Sequence, residues 1–151
     1  MSHIEEATTN LTFQALVPLL QERNAQALAQ HPCMALLRQA VTLVAHEHGG
    51  SVNATYTTYY GESQSTNTNL SLHVPRKLPR GIGLVIDEHT GALMFKGDPW
   101  DHEDFFAEVQ QRIVQTYVVL AHCAVLRRMN AQVSTQTVDN HQVVITGVLH
   151  G

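Results

Sequence analysis

Seven consecutive residues, Asp98-Pro99-Trp100-Asp101-His102-Glu103-Asp104, gather four carboxylates, one imidazole and the only tryptophan of the chain. Carboxylates beside an imidazole can pass protons, and several together can hold a hard divalent cation. Asp98, Asp101 and His102 are the candidate catalytic residues on that reading. The same stretch also suits the entry to a helix. Asp101 is a good N-cap with Asp104 three positions later, Glu103 falls where the helix dipole is positive, and Trp100 can staple the entry against a sheet. Capping explains most of the cluster, and it is the reading preferred here.

Other chemistry is thinner. Ten histidines invite a metal, but no pair has the i, i+4 spacing that seats two ligands on one helix face. His46 and His48 are two apart, and adjacent His122 and Cys123 diverge by about 100° on a helix. The sequence therefore assigns no metal site and no cofactor. Cys123 lies in an apolar helix and reads as an inert thiol. Cys33 sits at a helix start beside His31, a setting that favours a thiolate, yet no partner or pocket is legible. No Gly-x-Ser-x-Gly elbow occurs. Gly81-Ile82-Gly83 precedes a strand, whereas a dinucleotide loop follows one, and no Walker motif occurs. Arg76, Lys77 and Arg80, with Tyr56, Tyr59 and Tyr60, could hold single-stranded nucleic acid by charge and stacking. The net charge of −4 argues against it, as does the alternation that puts Tyr59 across from Tyr56 and Tyr60.

The elements that would position these groups follow from composition and period. The chain has 151 residues, the size of one domain with a core of its own, and only 15% of them are charged. Thr, Gln, Asn and Ser supply the rest of the polar surface. No apolar run approaches the roughly 20 residues that span a bilayer, no secretory pattern opens the chain, and two cysteines make no disulfide framework. A reducing cytoplasm fits these features, with no membrane partner.

Residues 3–11 suggest a strand. Pro18 divides the next segment into a short turn and a helix beginning at the proline. Cys33, Leu36, Leu37, Ala40, Val41 and Val44 form an i, i+3, i+4 stripe, so a helix is predicted over 32–48, closed by Gly49-Gly50. Residues 52–60 alternate as one strand and 70–74 as its hairpin partner, joined by a polar loop with nothing to bury. Pro75 and Pro79 keep the following connection out of a central strand. GIGLVID and ALMFKGD form a second hairpin. A long helix is predicted over 102–129, about 42 Å at 1.5 Å per residue, with Phe106, Val109, Ile113, Tyr117, Leu120, Ala121 and Ala124 on one face. Residues 131–149 make a last hairpin across Asp139-Asn140. The sum is a single α+β domain over 1–151: a two-layer sandwich, its largely antiparallel sheet of about seven strands covered on one face by helices.

The MSH opening, GIGLVID, GDPWD before the long helix, QQRIVQTYVVLAHCAVLRRM and AQVSTQTVDNHQVVITGVL resemble a small uncharacterised family of cyanobacteria, other bacteria and plastid genomes, known there as a hypothetical conserved chloroplast reading frame. The resemblance covers roughly 81–148, the first few residues and the helix 32–48. Residues 12–30 stand as an extra segment, and Met129-Asn130 replace the family's glycine after the long helix. The resemblance implies a small α+β fold and no established enzyme activity. Some bacterial members lie beside genes for AAA-class ATPases, which implies such an ATPase as a partner, in another chain.

Two functional classes follow. The preferred one is a non-enzymatic interaction or adaptor protein, acting with an AAA-class ATPase or a larger assembly and self-associating as a homo-oligomer. The light charge lowers repulsion between chains, and TYTTYYG (55–61) and VVITGVL (143–149) carry no charge to guard a sheet edge. The alternative is a small enzyme or a ligand- or metal-binding protein built on the acidic and histidine cluster at 98–104.

Overall fold

The computed structural model describes residues 4–128, 131–137 and 143–149. Strand β1 (Glu5–Thr12) opens the chain. A 3₁₀ turn (Gln14–Leu16) leads into α1 (Val17–Gln21), with Pro18 in its first turn, where a missing amide hydrogen costs nothing. Asn24 caps α2 (Ala25–Gln30) by accepting from the Ala27 amide at 3.1 Å. Residues 12–30 thus hold two short helices, and Leu16, Leu20 and Leu28 carry them into the core. Helix α3 (Pro32–Glu47) begins where the His31 ring accepts from the Cys33 amide. It ends at Gly49, whose φ of +68° suits glycine.

The sheet differs from the predicted seven strands. Five strands form one antiparallel sheet in the order β1-β7-β6-β5-β2, with β2 (Ser51–Asn53), β5 (Leu70–Val74), β6 (Leu78–Ile86) and β7 (Ala92–Gly97). Two further pairs stand apart: β3 (Thr55–Thr57) with β4 (Ser63–Ser65), and β8 (Ala131–Thr137) with β9 (Val143–Leu149). The turn predicted at Asp139-Asn140 lies outside the described residues.

Alternation places the core. Leu70, Leu72 and Val74 of β5, Ile82, Leu84 and Ile86 of β6, and Leu93 and Phe95 of β7 are buried in one cluster with α3 and α4 (Glu103–Arg128). Helix α3 contributes Met34, Leu37, Ala40, Val41 and Val44, and α4 contributes Phe106, Val109, Ile113 and Tyr117. Leu120 and Ala121 pack beside them, and Glu47 clasps Arg112 to tie the two helices. The helices lie on one face of the sheet, as the pattern predicts.

The opposite face holds the surprise. The segment read as one strand over 52–60 breaks at Ala54: β2 stays with β5, and β3 folds over the sheet with β4. A Cβ on Gly83 would come within 2.5 Å of the Tyr56 ring and 2.9 Å of Thr66, so the bare glycine is what lets this flap lie flat. His73 fastens it from below, its Nε2 donating to the Thr55 carbonyl at 2.8 Å.

The polar loop predicted to have nothing to bury is in fact part of the flap. Thr66 and Thr68 are buried, Thr68 donates to the Leu84 carbonyl at 2.6 Å, and the Asn67 amide both donates to and accepts from the Ile86 backbone. Short hydroxyl and amide side chains here replace backbone partners that β5 no longer supplies beyond Leu70.

Pro79 is a second correction. It lies inside β6, a central strand, but only one residue from the β5–β6 turn at 75–77, where the ladder is already irregular. Its missing amide is tolerated there.

Candidate functional site

Strand β6 emerges from the turn at 75–77 and delivers Lys77, Pro79 and Arg80 to one end of the sheet. Strand β7 returns to the same end and stops at Gly97, which touches the Gly81 backbone and the Phe106 ring so closely that no side chain fits. The chain then crosses to α4 through Asp98–His102, so the sequence cluster and the basic turn meet.

The Asp98 side chain is 1% exposed and fully engaged. Oδ2 accepts from Arg80 Nη1 at 2.9 Å, and Oδ1 accepts from the Trp100 amide at 3.2 Å. His102 donates its amide to Pro99 at 2.6 Å and offers its carbonyl to the Phe106 amide, the first helical bond of α4. His102 therefore flanks the helix. Asp101, predicted as N-cap, lies one residue further out with φ of +67°, a conformation that aspartate tolerates better than most residues. Glu103 and Asp104 do occupy the first turn, and Arg127 and Arg128 the last, in line with the helix dipole.

Trp100 does not staple the helix to the sheet. Half its surface (52%) remains exposed. It forms one wall of an open cavity of about 180 Å³, with Asp98, Asp101 and His102 beside it and residues 77–80 opposite. The three candidate residues Asp98, Asp101 and His102 thus do meet around one space. That space is below the roughly 300–1,000 Å³ of a typical small-molecule site and holds about one side chain.

The aromatic platform continues past Arg80, whose guanidinium lies 4.7 Å from the centre of the Tyr59 ring. Tyr59 and Tyr60 pack edge to face at 5.2 Å. Both lie beyond β3, in the tip of the β3–β4 hairpin, where Gly61 and Glu62 donate back to Thr58. Strand alternation ends at Thr57, so the two rings sit together, and Tyr56 is buried beneath the flap. Tyr60 is 86% exposed and Tyr59 53%. On the other side, Lys77 Nζ sits 4.9 Å from the Phe105 ring centre. The result is a contiguous surface running Tyr60, Tyr59, Arg80, cavity, Trp100. Its arginine is held by a buried carboxylate and an aromatic face, with 26% of its side chain exposed.

The remaining sequence candidates are dispersed. Cys33 is half-buried against Tyr117, whose hydroxyl is pushed up from its usual pKa by burial and by Cys33. His48 packs edge-on against Phe105, while His46 and His122 are exposed. Cys123 is buried, as the apolar helix predicts. Among the described residues no three His, Cys, Asp or Glu side chains gather to hold a metal ion, and no helix is long and apolar enough to cross a membrane.

The sequence reading missed the Arg80–Asp98 pair. Its only signal is that two oppositely charged residues flank the glycines of neighbouring strands, Gly81 and Gly97. Comparison with known proteins finds no matching family model, no matching curated protein and no matching solved structure.

Proposed function

We propose that this chain is a non-enzymatic interaction protein that docks a partner on the Tyr59–Tyr60–Arg80–Trp100 surface, and that the partner is a separate ATPase of the AAA class. One observation carries the reading: three of the large apolar side chains left exposed are Tyr59, Tyr60 and Trp100, and they surround one immobilised arginine. Tyr, Trp and Arg are the residues in which binding energy concentrates at protein interfaces, most of all when they are rigid before the partner arrives. The single-side-chain cavity beside Trp100 suits an anchoring residue better than a substrate. Both oxygens of the candidate acid Asp98 are held by hydrogen bonds from within the chain. The ATPase identity rests on the family resemblance alone.

The experiment is co-purification from cells that express this chain together with candidate AAA-class ATPases, comparing wild type with Trp100→Ala and Tyr60→Ala. Both side chains are exposed enough to be removed without unfolding the chain. The reading expects one ATPase to be retained by wild type and lost at least tenfold with either substitution. An ATPase held equally by all three proteins, or held by none, refutes it.

A further inference from the structure

Among the described residues, strands β3 and β4 pair only with each other, from Thr55↔Ser65 to Thr57↔Ser63. A ribbon this short is marginal at best in water, so its place over the sheet depends on what fastens it. For residues 55–65 the fastenings are few. Among the described residues one hydrogen bond joins them to the sheet, from His73 Nε2 to the Thr55 carbonyl, and it lies at the root. Tyr56 is the one buried side chain of the segment, and its ring rests on Gly83. At the tip, the face of Tyr59 lies against the Arg80 guanidinium. The bonds among Thr58, Gly61 and Glu62 stay inside the flap. Both roots are jointed to fixed structure. Ala54 separates β3 from β2, which is paired with β5. Beyond Ser65, the turn from Thr66 to Asn69 is pinned to β6 through Asn67 and Thr68.

The flap also seals in a polar atom. Ser71 of β5 stands opposite Gly83 of β6, so its side chain lies on the flap side of the sheet. Ser71 is fully buried, and its hydroxyl is the one buried side-chain polar atom among the described residues without a hydrogen-bond partner. Buried hydroxyls are almost always paired, because an unpaired one forfeits its bonds to water. The shut flap bears that cost and an open flap does not. Alanine would fill the same place without it.

We propose that the β3–β4 flap is a hinged cover. It is shut at rest and lifts as one body about Ala54 and Thr66, with the five-stranded sheet intact, to bring Ser71 and the Gly83 backbone into water. Tyr59 leaves Arg80 when the flap lifts, so opening also takes apart the Tyr59–Arg80–Trp100 surface. A partner bound there selects the shut form. That consequence rests on the docking reading, whereas the opening itself does not.

The test uses the full chain and needs no partner. Hydrogen exchange read by mass spectrometry should show the hydrogen-bonded amides of 55–57 and 63–65 exchanging at least about tenfold faster than those of β5 and β6. Ser71→Ala removes the unpaired hydroxyl and should slow exchange in the flap by about fivefold or more. Tyr59→Ala removes the fastening at the tip and should speed it by about twofold to fivefold, with β5 and β6 unchanged. Alkylation of Ser71→Cys by iodoacetamide in native buffer separates lifting from fraying in place. The new thiol should react faster than the buried Cys123, and faster again when Tyr59→Ala is added. Flap amides as slow as those of β5 and β6, flap exchange not slowed by Ser71→Ala, or a Ser71→Cys thiol no more reactive than Cys123 would each overturn the proposal.

Discussion

Replacing Gly81 with alanine tests how the β3–β4 flap, and with it the Tyr59–Tyr60 surface, is fastened to the sheet. Gly81 has a φ of +83°, and a Cβ there would lie 2.6 Å from both Cε1 and Nε2 of His73. The same Nε2 makes the 2.8 Å bond to the Thr55 carbonyl where β3 begins. Two costs follow. An alanine held at positive φ costs roughly 1–2 kcal/mol. The displaced imidazole loses its bond, worth about 0.5–1.5 kcal/mol. The alanine also restricts the unfolded chain, which returns about 0.4–1 kcal/mol. The expected net loss is about 2 kcal/mol, read as a lower urea midpoint with an unchanged slope. The decisive measurement is the double-mutant cycle. With His73→Ala the new methyl meets no ring, so Gly81→Ala should then cost only the backbone strain, and the pair should couple by about 1 kcal/mol. Additivity within about 0.5 kcal/mol, the usual result for independent sites, would refute the fastening argument.

Three further perturbations probe other parts of the fold. Ile113 is fully buried in the α4 stripe, so Ile113→Asp should cost more than about 4 kcal/mol and abolish cooperative melting, whereas Ile113→Val should cost about 0.5–1.5 kcal/mol; a calorimetric melt unchanged by the aspartate would refute the stripe. Asn67→Ala removes both side-chain bonds to the Ile86 backbone and should cost about 1–3 kcal/mol by chemical denaturation, although Asn67 itself is exposed; no loss would mean that the loop is not anchored there. Hydrogen bonds from Arg112 hold the Glu47 carboxyl below its ordinary 4.5, so its contribution is complete above that value and disappears as pH falls through the lowered folded value. Both side chains are more than a third exposed, which limits the bridge to about 1 kcal/mol; Glu47→Gln should therefore differ from wild type by at most that much at pH 7 and not at all in acid, and a gap that persists at low pH would contradict the sign.

Much of the fold was legible from local pattern. The stripe from Leu37 to Val44 marked α3, the stripe from Phe106 to Tyr117 marked α4, and the glycine at 91 closed the β6–β7 hairpin. Helix periodicity, alternation and turn residues report contacts within a few positions of one another, and the sequence states those directly. The α+β class and the single helical face followed from the same signals, as did the buried Cys123. Strand partnership was not legible in that way. Alternation ran unbroken from Val52 to Tyr60, but the chain bends at Ala54 because Gly83 leaves room on the far face for Tyr56 and Thr66, and that room belongs to a strand thirty residues later. Thr66, Asn67 and Thr68 read as solvent-exposed loop until the sheet beneath them offered the carbonyls of Leu84 and Ile86. Trp100 and Asp98 illustrate the same limit at the site. The sequence placed both at a helix entry, but whether the indole packs inward, and whether the carboxylate is free for chemistry, depended on Arg80 arriving from another strand and taking that carboxylate. Local sequence sets which elements form; which side chains are spent on holding them together, and which are left exposed, is decided only when distant backbones compete for the same space and the same hydrogen bonds.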